Sequence, residues 1–453
     1  MGGEVAFREV AQLIRDVVHP EEAGKMPYIG LEHIEQGTLR LAGWGHASDV
    51  SSAKFRFRKG DILFGKLRPY FRKVIRAPFD GICSTDIWVV RAKEGFDQNY
   101  LFYWMAAQDF VDFASKGSEG TRMPRAKWEH VERFKRPYLP LPEQRAIARI
   151  LGTLDDKIEL NRRMNETLEA MAQALFKSWF VDFDPVVVNA LRAGNPIPEK
   201  FAERAAHYRN NPGALGLPEE ILRLFPARFV DSVLGPIPEG WGVGPLNDFF
   251  SVGLGGAWGE GEPSARATVA VRCLRGIDCH DLAEGRIPDV PVRWLSPKQV
   301  ADRELMEGAI LIEGSGSFCG RSMIWRRGYE ALLGAPVGYS NFCKRLDPGC
   351  TPAQAAICWM QIRQAYRDGM LQSFRTGTAF PNFDVHGFLS NLIVVVPPLP
   401  LAEAFGEIFA LSQRLDLMAQ SRTLTALRDA LLPRLISGEL RVPDVEKMLE
   451  DAV

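Results

Sequence analysis

The stretch that decides the fold is LPEQRAIARILGTLDDKIELNRRMNETLEAMAQALFKSW, at residues 141–179. Its apolar residues recur in steps of three and four, the spacing of a helix with one buried seam. The seam residues are Ile147, Leu151, Leu154, Ile158, Leu168, Leu175 and Trp179. Asn161 and Asn165 share this register, where a polar residue fixes pairing at some cost in stability. A helix from Pro142 to Trp179 would be about 57 Å long at about 1.5 Å per residue.

A second apolar-striped helix is predicted from near Leu401, with Leu417, Leu424 and Leu431 at seven-residue intervals. Pro433 should end or kink this helix, because proline lacks the backbone N–H and clashes with the preceding turn. Neither striped helix is stable alone in water, so the simplest solution packs the two on each other. The alternative is that each helix packs on its own domain alone.

The chain contains an internal repeat. YIGLEHIEQGTL at 28–39 has a counterpart in VRCLRGIDCHDL at 271–282, and GDIL at 60–63 has one in GAIL at 308–311. GTRMP at 120–124 matches GTAFP at 377–381, and RPYLPLPEQ at 136–144 matches VPPLPLAE at 396–403. Four matches in one order predict two copies of a unit that mixes short strands with helices, each followed by a long helix.

These patterns predict an α+β chain with two tandem copies and two long helices. Prolines are frequent between the copies, so the sequence predicts a long connection there, with one short helix near 199–209. The expected segments are two domains at 1–140 and 241–396, helices at 141–180 and 397–440, a connection at 181–240 and a tail at 441–453.

The composition is that of a folded soluble protein: 46% of the 453 residues are hydrophobic and 25% are charged. The net charge of −1 means that any basic surface must be local. The seven cysteines include no CxxC pair, which favours buried thiols over disulfides or zinc. No signal sequence and no apolar run near the ~20 residues of a membrane helix is present, so we expect a cytoplasmic protein without a membrane partner.

The sequence contains near matches to catalytic and nucleotide-binding motifs, but each lacks a required feature. GDILFGKL at 60–67 nearly matches a phosphate-binding loop, but Leu67 stands where a hydroxyl must hold Mg²⁺. The glycine pairs at 253–255 and 314–316 are incomplete dinucleotide fingerprints. Asp155-Asp156-Lys157 superficially resembles a nuclease site, yet it lies inside the helical pattern and favours a solvated face. We therefore expect no catalytic residue, no metal site and no cofactor of the chain's own.

The evidence for a function comes from a local cluster of basic residues. Residues 54–76 hold nine Lys/Arg against Asp61 alone, with aromatic residues interleaved. The alternation from Lys54 to Arg58 predicts a strand with one basic face, and such charge favours a phosphate backbone. The alternative is a merely solvated basic face. The candidate DNA-binding residues in the first copy are Lys54, Arg56, Arg58, Lys66, Arg68, Arg72, Lys73, Arg122 and Arg125. Those in the second copy are Arg321, Arg326, Arg327, Lys344 and Arg375.

With these features the chain resembles a known family. LPEQRAIARILGTLDDKIELNRRMNETLEAMAQALFKSWFVDFDPV at 141–186 resembles the central helix of type I restriction–modification specificity subunits. FRKGDILFGKLRPYFRKV at 57–74, STDIWVV at 84–90 and LPEEILRLFPARFVDSVLGPIPEGW at 217–241 are similar to other parts of that family. LLPRLISGEL at 431–440 resembles the end of its second helix.

The resemblance implies two target-recognition domains, each reading one half of a split DNA sequence, and two helices packed antiparallel as a spacer. It also implies double-stranded DNA, two methylation subunits and motor–endonuclease subunits as partners. S-adenosylmethionine, ATP and Mg²⁺ would then belong to the partners, which methylate adenine and restrict DNA. Recognition domains diverge within the family, so the resemblance assigns no individual contact.

Two other functions stay open on the sequence alone. A stand-alone DNA-modifying enzyme whose motifs have drifted would bind S-adenosylmethionine as an isolated chain. A helical scaffold protein would bind no DNA, and the basic segment at 54–76 argues against it.

Overall fold

A computed structural model of the chain describes residues 3–118, 123–334, 336–377 and 381–450. The chain divides into two compact units: unit 1 comprises Met1–Glu159 and Thr423–Val453, and unit 2 comprises Leu160–Arg422. Each unit mixes helices with mainly antiparallel sheets, so the α+β class expected from the sequence is confirmed.

Unit 1 is built from short strands and short helices. Its strands are Glu4–Ala6, Ala11–Ile14, Val17–Val18, Pro27–Ile29, Gly45–His46, Lys54–Phe57, Ile62–Gly65, Val74–Arg76, Gly81–Cys83, Ile87–Ala92 and Lys135–Pro137. Its α-helices, besides the long ones treated below, are Phe7–Val10, Pro20–Ala23, Gln98–Ala106, Gln108–Lys116, Trp128–Val131 and Val442–Glu450. Short 3₁₀ turns at Leu31–His33, Ala47–Asp49 and Pro69–Phe71 complete the described part of this unit.

The strands of unit 1 form two main sheets. One is an antiparallel sheet in the order Ala11–Ile14, Ile87–Ala92, Ile62–Gly65, Val74–Arg76. The other has the order Val17–Val18, Lys54–Phe57, Gly81–Cys83, Pro27–Ile29, Gly45–His46. Its Pro27–Ile29 and Gly81–Cys83 strands run parallel.

Unit 2 repeats these features with longer connections. Its strands are Phe229–Val230, Ile237–Pro238, Gly242–Pro245, Phe250–Val252, Val269–Leu274, Val292–Leu295, Ile310–Glu313, Ser322–Ile324, Val337–Tyr339, Cys343–Pro348, Arg375–Thr376, Asn382–Phe383 and Ile393–Val396. Its shorter α-helices are Asp184–Ala193, Ala202–Asn210, Glu219–Leu222, Gly276–Ala283, Pro297–Ala301, Gly328–Leu333, Pro352–Arg367 and Val385–Asn391. Its 3₁₀ turns are Glu199–Phe201, Leu246–Asp248 and Met370–Phe374.

The four-stranded sheet of unit 1 recurs in unit 2, whereas the five-stranded sheet has a counterpart of three strands. One antiparallel sheet of unit 2 matches the first sheet of unit 1 strand for strand. Its order is Phe250–Val252, Cys343–Pro348, Ile310–Glu313, Ser322–Ile324. A parallel pair also recurs, between Val269–Leu274 and Val337–Tyr339.

The repeat alignment at 28–39 needs a two-residue correction. The amide of Ser84 donates to the Ile29 carbonyl, and the amide of Ser340 donates to the Leu274 carbonyl. Ile29 therefore corresponds to Leu274, an offset two residues larger than the sequence comparison indicated. Strand pairing depends on backbone geometry, which the divergent side chains of this segment do not reveal.

The first long helix is Leu141–Phe176, followed by one π-helical turn at Lys177–Val181. The second is interrupted: Leu399–Ser412 is one helix and Leu415–Ile436 is another. At the break, the Arg414 guanidinium binds the Asp416 carboxylate, and Asp416 lies in the first turn of the new helix. Pro433 lies inside that helix, which ends one turn later at Ile436.

Within each unit the long helices pack in antiparallel order. In unit 2, Asn161 Nδ2 donates to Gln420 Oε1 over 2.7 Å, and the Phe180 and Phe405 rings lie 4.9 Å apart. In unit 1, Ile147 and Leu431 belong to one core. The seam residues Leu151, Leu154, Ile158, Asn165, Leu168, Leu175, Trp179, Leu417 and Leu424 are likewise buried or half-buried.

The connection at 181–240 is more helical than the sequence indicated. The short helix expected at 199–209 is present as Ala202–Asn210, but Asp184–Ala193 is helical too. Pro185 stands in the first turn of this additional helix, where proline is well tolerated. Its Val186 and Val187 are fully buried in the core of unit 2.

Several smaller features bear on the excluded functions. The seven cysteines are free thiols, and six of them are buried. In the described ranges no group of three potential metal ligands is found, and no helix there is long and apolar enough to cross a membrane.

Asp155 has a structural partner. The Arg428 side chain is 3% exposed, and its Nη1 donates to Asp155 Oδ1 over 2.8 Å. The Tyr103 hydroxyl donates to Asp155 Oδ2 over 2.6 Å. Asp429 accepts from the remaining Arg428 nitrogens. The carboxylate that superficially resembles part of a nuclease site therefore holds a buried arginine of the second long helix inside unit 1.

Removing one partner of a buried ion pair costs more than the pair itself contributes, because the other charge stays buried. We expect Asp155→Asn to lower the free energy of unfolding by about 2 kcal/mol, measured by urea denaturation. The matched control is Asp156→Asn, because Asp156 is exposed on the same helix and should change stability by less than about 0.5 kcal/mol. Equal effects of the two variants would contradict this role.

Candidate nucleic-acid interface

Three of the basic residues in segment 54–76 are structural. Lys54 is 5% exposed, and its ammonium donates to the carbonyl and the hydroxyl of Ser52, both over 2.7 Å. The Lys73 ammonium donates to the Leu31 carbonyl over 2.6 Å. Burial lowers the pKa of both ammonium groups. The expectation that Lys54 and Lys73 present charge to a phosphate backbone is therefore corrected.

Arg72 is the third. Its Nε donates to the Ala106 carbonyl over 2.7 Å, and its Nη2 lies 3.5 Å from Asp429 Oδ1. Desolvation lowers the pKa of this guanidinium. Arg72 thus ties the strand connection to two helices of unit 1. The alternation from Lys54 to Arg58 did not predict the burial of Lys54, because period-two spacing assigns a side chain to one face of a strand and does not report what covers that face.

The remaining cations of unit 1 are more accessible. Arg58 is exposed, whereas Arg56 and Lys66 are half-buried. The Arg68 guanidinium lies 5.9 Å from the centre of the Phe71 ring. Arg125 has a half-exposed side chain that binds Asp86 through two hydrogen bonds of 2.9 and 3.2 Å. The hydrogen bond from Arg125 to Asp86 raises the pKa of the guanidinium. Arg122 lies outside the described residues.

In unit 2 two candidate cations are already paired. Arg321 has a side chain 10% exposed, and its Nη2 lies 2.7 Å from Glu313 Oε2. Arg326 donates to Glu307 over 3.2 Å. Both side chains are therefore engaged by acidic partners within unit 2, and DNA contact by either residue stays a prediction.

The other candidate residues in unit 2 are exposed or half-buried. Arg327 is exposed and Lys344 is half-buried. Arg375 is half-buried, and its Nη1 lies 3.4 Å from the Ser317 carbonyl. Charge counting could not separate these residues from the paired arginines, because the acidic partners Glu307 and Glu313 lie outside the basic stretch in sequence.

Both units contain a loop with the same hydrogen-bonded frame. In unit 1 the Lys66 amide donates to the Asp86 carbonyl, and the Arg68 amide donates to the Pro124 carbonyl. In unit 2 the corresponding donors are Gly314 to the Phe342 carbonyl and Gly316 to the Pro381 carbonyl. We call residues 66–73 and 314–321 the frame loops. They follow the strands Ile62–Gly65 and Ile310–Glu313.

Further main-chain contacts fix the frame loops. An isolated bridge joins Leu67 to Arg125 in unit 1, and another joins Ser315 to Asn382 in unit 2. The Ala126 amide donates to the Lys66 carbonyl, as the Phe383 amide does to the Gly314 carbonyl. The backbone bonds are 2.6 to 2.9 Å long in both loops. Two different sequences thus adopt one local geometry.

An exposed aromatic ring stands on each frame loop. Tyr70 is 51% exposed and Phe318 is 58% exposed. The sequence pattern singled out Tyr70 among the basic residues but not Phe318. The repeat could have identified Phe318, because each ring stands ten positions after the glycine that opens its GDIL or GAIL segment, Gly60 or Gly308.

Beside the rings, the two units differ in chemistry. Asp86 and Arg125 flank the frame loop of unit 1, and Phe342 and Asn382 occupy the corresponding backbone positions in unit 2. Arg125 is suited to guanine and Asn382 to adenine in the major groove, and an exposed phenyl suits the thymine methyl group. One frame therefore presents two different sets of side chains.

Comparison with known proteins finds several that are similar to this chain. Residues 12–170 match the model of the type I restriction modification DNA specificity domain. The EcoDI specificity subunit of Escherichia coli is 32% identical over 216 residues, which cover 44% of this chain and 48% of that relative. This alignment therefore spans about half of the relative's length.

Two relatives align over most of their length. The HindI specificity subunit of Haemophilus influenzae is 25% identical, over 86% of this chain and 88% of the relative. The MjaIX specificity subunit of Methanocaldococcus jannaschii is 24% identical, over 94% and 87% respectively.

Among solved structures, the type I restriction-modification S subunit from M. genitalium matches with a TM-score of 0.54 and 13% identity, over 96% of both chains. That likeness concerns the fold. In sequence, the chain is similar to specificity subunits of type I restriction–modification systems.

Proposed function

We propose that this chain is the DNA-specificity subunit of a type I restriction–modification complex and reads a target in two separate parts. The chain itself is non-catalytic. Adenine methylation and restriction would be carried out in the cytoplasm by two methylation subunits and by motor–endonuclease subunits. Those partners would hold the S-adenosylmethionine, ATP and Mg²⁺.

The observation that carries this proposal is the repeated frame loop. Two sequences that differ in most positions form the same hydrogen bonds and bridges, and they present different side chains around them. Two copies with different surfaces suit a target whose halves differ in sequence.

Accessible cations in both units support DNA as the ligand. The exposed or half-buried ones are Arg58, Lys66 and Arg125 in unit 1, and Arg327, Lys344 and Arg375 in unit 2. Phosphate contacts of this kind position a protein on a duplex, whereas base contacts give sequence preference. The mixture of cations with Asp86, Phe342 and Asn382 supplies both kinds of group.

The first test exchanges one domain. Replacing residues 1–140 with the corresponding segment of a relative should change one half of the methylated sequence and preserve the other. The readout is sequencing of methylated sites in a host that carries the variant with its methylation subunit. The reciprocal control exchanges residues 241–396 and should change the other half. A change in both halves after a single exchange would refute the two-reader proposal.

The second test concerns phosphate contacts. In the complex with the methylation subunit, Arg58→Ala and Lys66→Ala should each weaken DNA binding. Each should also reduce the slope of log affinity against log salt by about 0.9 for every phosphate that is no longer neutralised. Lys54→Met is the matched control, because the Lys54 ammonium is buried on Ser52 and should leave the slope unchanged. An unaltered slope in the folded Arg58 and Lys66 variants would mean that these residues are merely solvated.

The third test concerns the long helices. If they set the separation of the two readers, four residues inserted after Glu159 lengthen the first helix by about 6 Å, at about 1.5 Å per residue. The unread gap should then grow by about one or two base pairs, at about 3.4 Å each, with both half-sites unchanged. Some loss of stability is expected, because the insertion shifts Asn161 relative to Gln420.

Methylated-site sequencing again provides the readout of this variant. The control is a four-residue insertion after Gly213, which is exposed in the connection and should leave the gap unchanged. An active Glu159 insertion variant with the original gap would show that another element sets the spacing.

A further inference from the structure

Tyr70 and Phe318 are exposed aromatic side chains at equivalent positions of the two frame loops. Tyr70 lies in the 3₁₀ turn Pro69–Phe71, between the strands Ile62–Gly65 and Val74–Arg76. Phe318 lies between the corresponding strands of unit 2. Exposure of a large ring costs burial free energy in each unit. Its recurrence at one position of two divergent loops therefore calls for a common cause.

The backbone around the Tyr70 ring is fixed before any ligand arrives. Arg68 and Arg72, which flank the 3₁₀ turn, both adopt φ of +49°. Residues with a side chain rarely take this left-handed conformation, and the surrounding structure must hold them there. The Gly37 amide donates to the Phe71 carbonyl over 3.2 Å, and the Arg68 amide donates to the Pro124 carbonyl over 2.7 Å. Such a loop presents its ring without a large cost of ordering.

The rings have cationic neighbours. In unit 1 the frame loop contains Lys66 and Arg68, besides the structural Arg72 and Lys73, and no acidic residue. In unit 2 the Arg321 guanidinium lies 4.5 Å from the centre of the Phe318 ring, and Arg375 reaches the neighbouring Ser317 carbonyl. A purely apolar partner would gain nothing from this charge. A polyanion that also offers flat aromatic faces matches both features, and a nucleic acid is such a ligand.

We propose that Tyr70 and Phe318 stack on the face of a base at a step that is opened in each half of the DNA target. This inference rests on the proposed function and names two further residues of its interface. Side chains that insert between base steps unstack and bend the duplex, and aromatic rings stack on bases that have left the helix. Every base has such a face, so the rings would add affinity without selecting a sequence.

The test uses the full chain in complex with its methylation subunit and a duplex that carries the methylated sequence found for the wild type. Tyr70→Ala and Phe318→Ala should each weaken binding roughly tenfold, within the range for removal of one aromatic–base stack. The salt slope and the methylated sequence should stay the same, because a stacked ring touches neither a phosphate nor a base edge.

Two further variants sharpen the comparison. Tyr70→Phe keeps the ring and should bind like the wild type. Trp44→Ala removes an exposed ring of unit 1 that contacts Phe79 away from the frame loop, and it should leave the affinity unchanged.

Unchanged affinity of both alanine variants would overturn the inference and leave the proposed function intact. So would a shallower salt slope, which would indicate a phosphate contact. Failure of the folded alanine variants to copurify with the methylation subunit would also overturn it, because the rings would then contact protein. If the wild-type complex itself showed no preference for its methylated sequence, that result would contradict the proposed function and, with it, this inference.

Discussion

A 36-residue helix cannot keep an apolar stripe in water, and this constraint governs the rest of the structure. The stripe of Leu141–Phe176 is buried against the second helical segment in both units. In unit 1 the partner surface includes Leu431 and Leu435, and in unit 2 it includes Phe405. Asn161 interrupts the stripe with a hydrogen bond to Gln420, so the pairing has one preferred register. Residues of the sheets share a core with these paired helices in each unit.

Helix periodicity and the repeat could be predicted from the sequence, because both depend on residues close together in the chain. The first helix was expected from Pro142 to Trp179, and it is α-helical to Phe176 with a π turn beyond. The interruption after Ser412 was not predicted, because heptad spacing continues beyond it in Leu417 and Leu424. An ion pair between Arg414 and Asp416 lies at the interruption, and hydrophobic spacing does not report such a pair.

The candidate interface was less predictable, because charge counting cannot tell an exposed cation from a paired one. Lys54 and Arg321 carry the same formal charge as Arg58, but one is buried on Ser52 and the other is bound to Glu313. Those partners become neighbours through sheet formation. The repeat was the better guide to the site, since its GDIL and GAIL segments already place Tyr70 and Phe318 at equal distances from Gly60 and Gly308.

The frame loops are held by main-chain hydrogen bonds, and this separates their shape from their chemistry. The backbone amides of Lys66 and Gly314 make the same hydrogen bond, although lysine has a long charged side chain and glycine has none. Mutations at Asp86, Arg125, Phe342 or Asn382 therefore alter the surface while the backbone bonds remain. Selection can change the chemistry of one loop without rebuilding the unit beneath it, and without altering the other loop. A protein of this design acquires new preferences in small, independent steps, so its recognition can diversify faster than its fold.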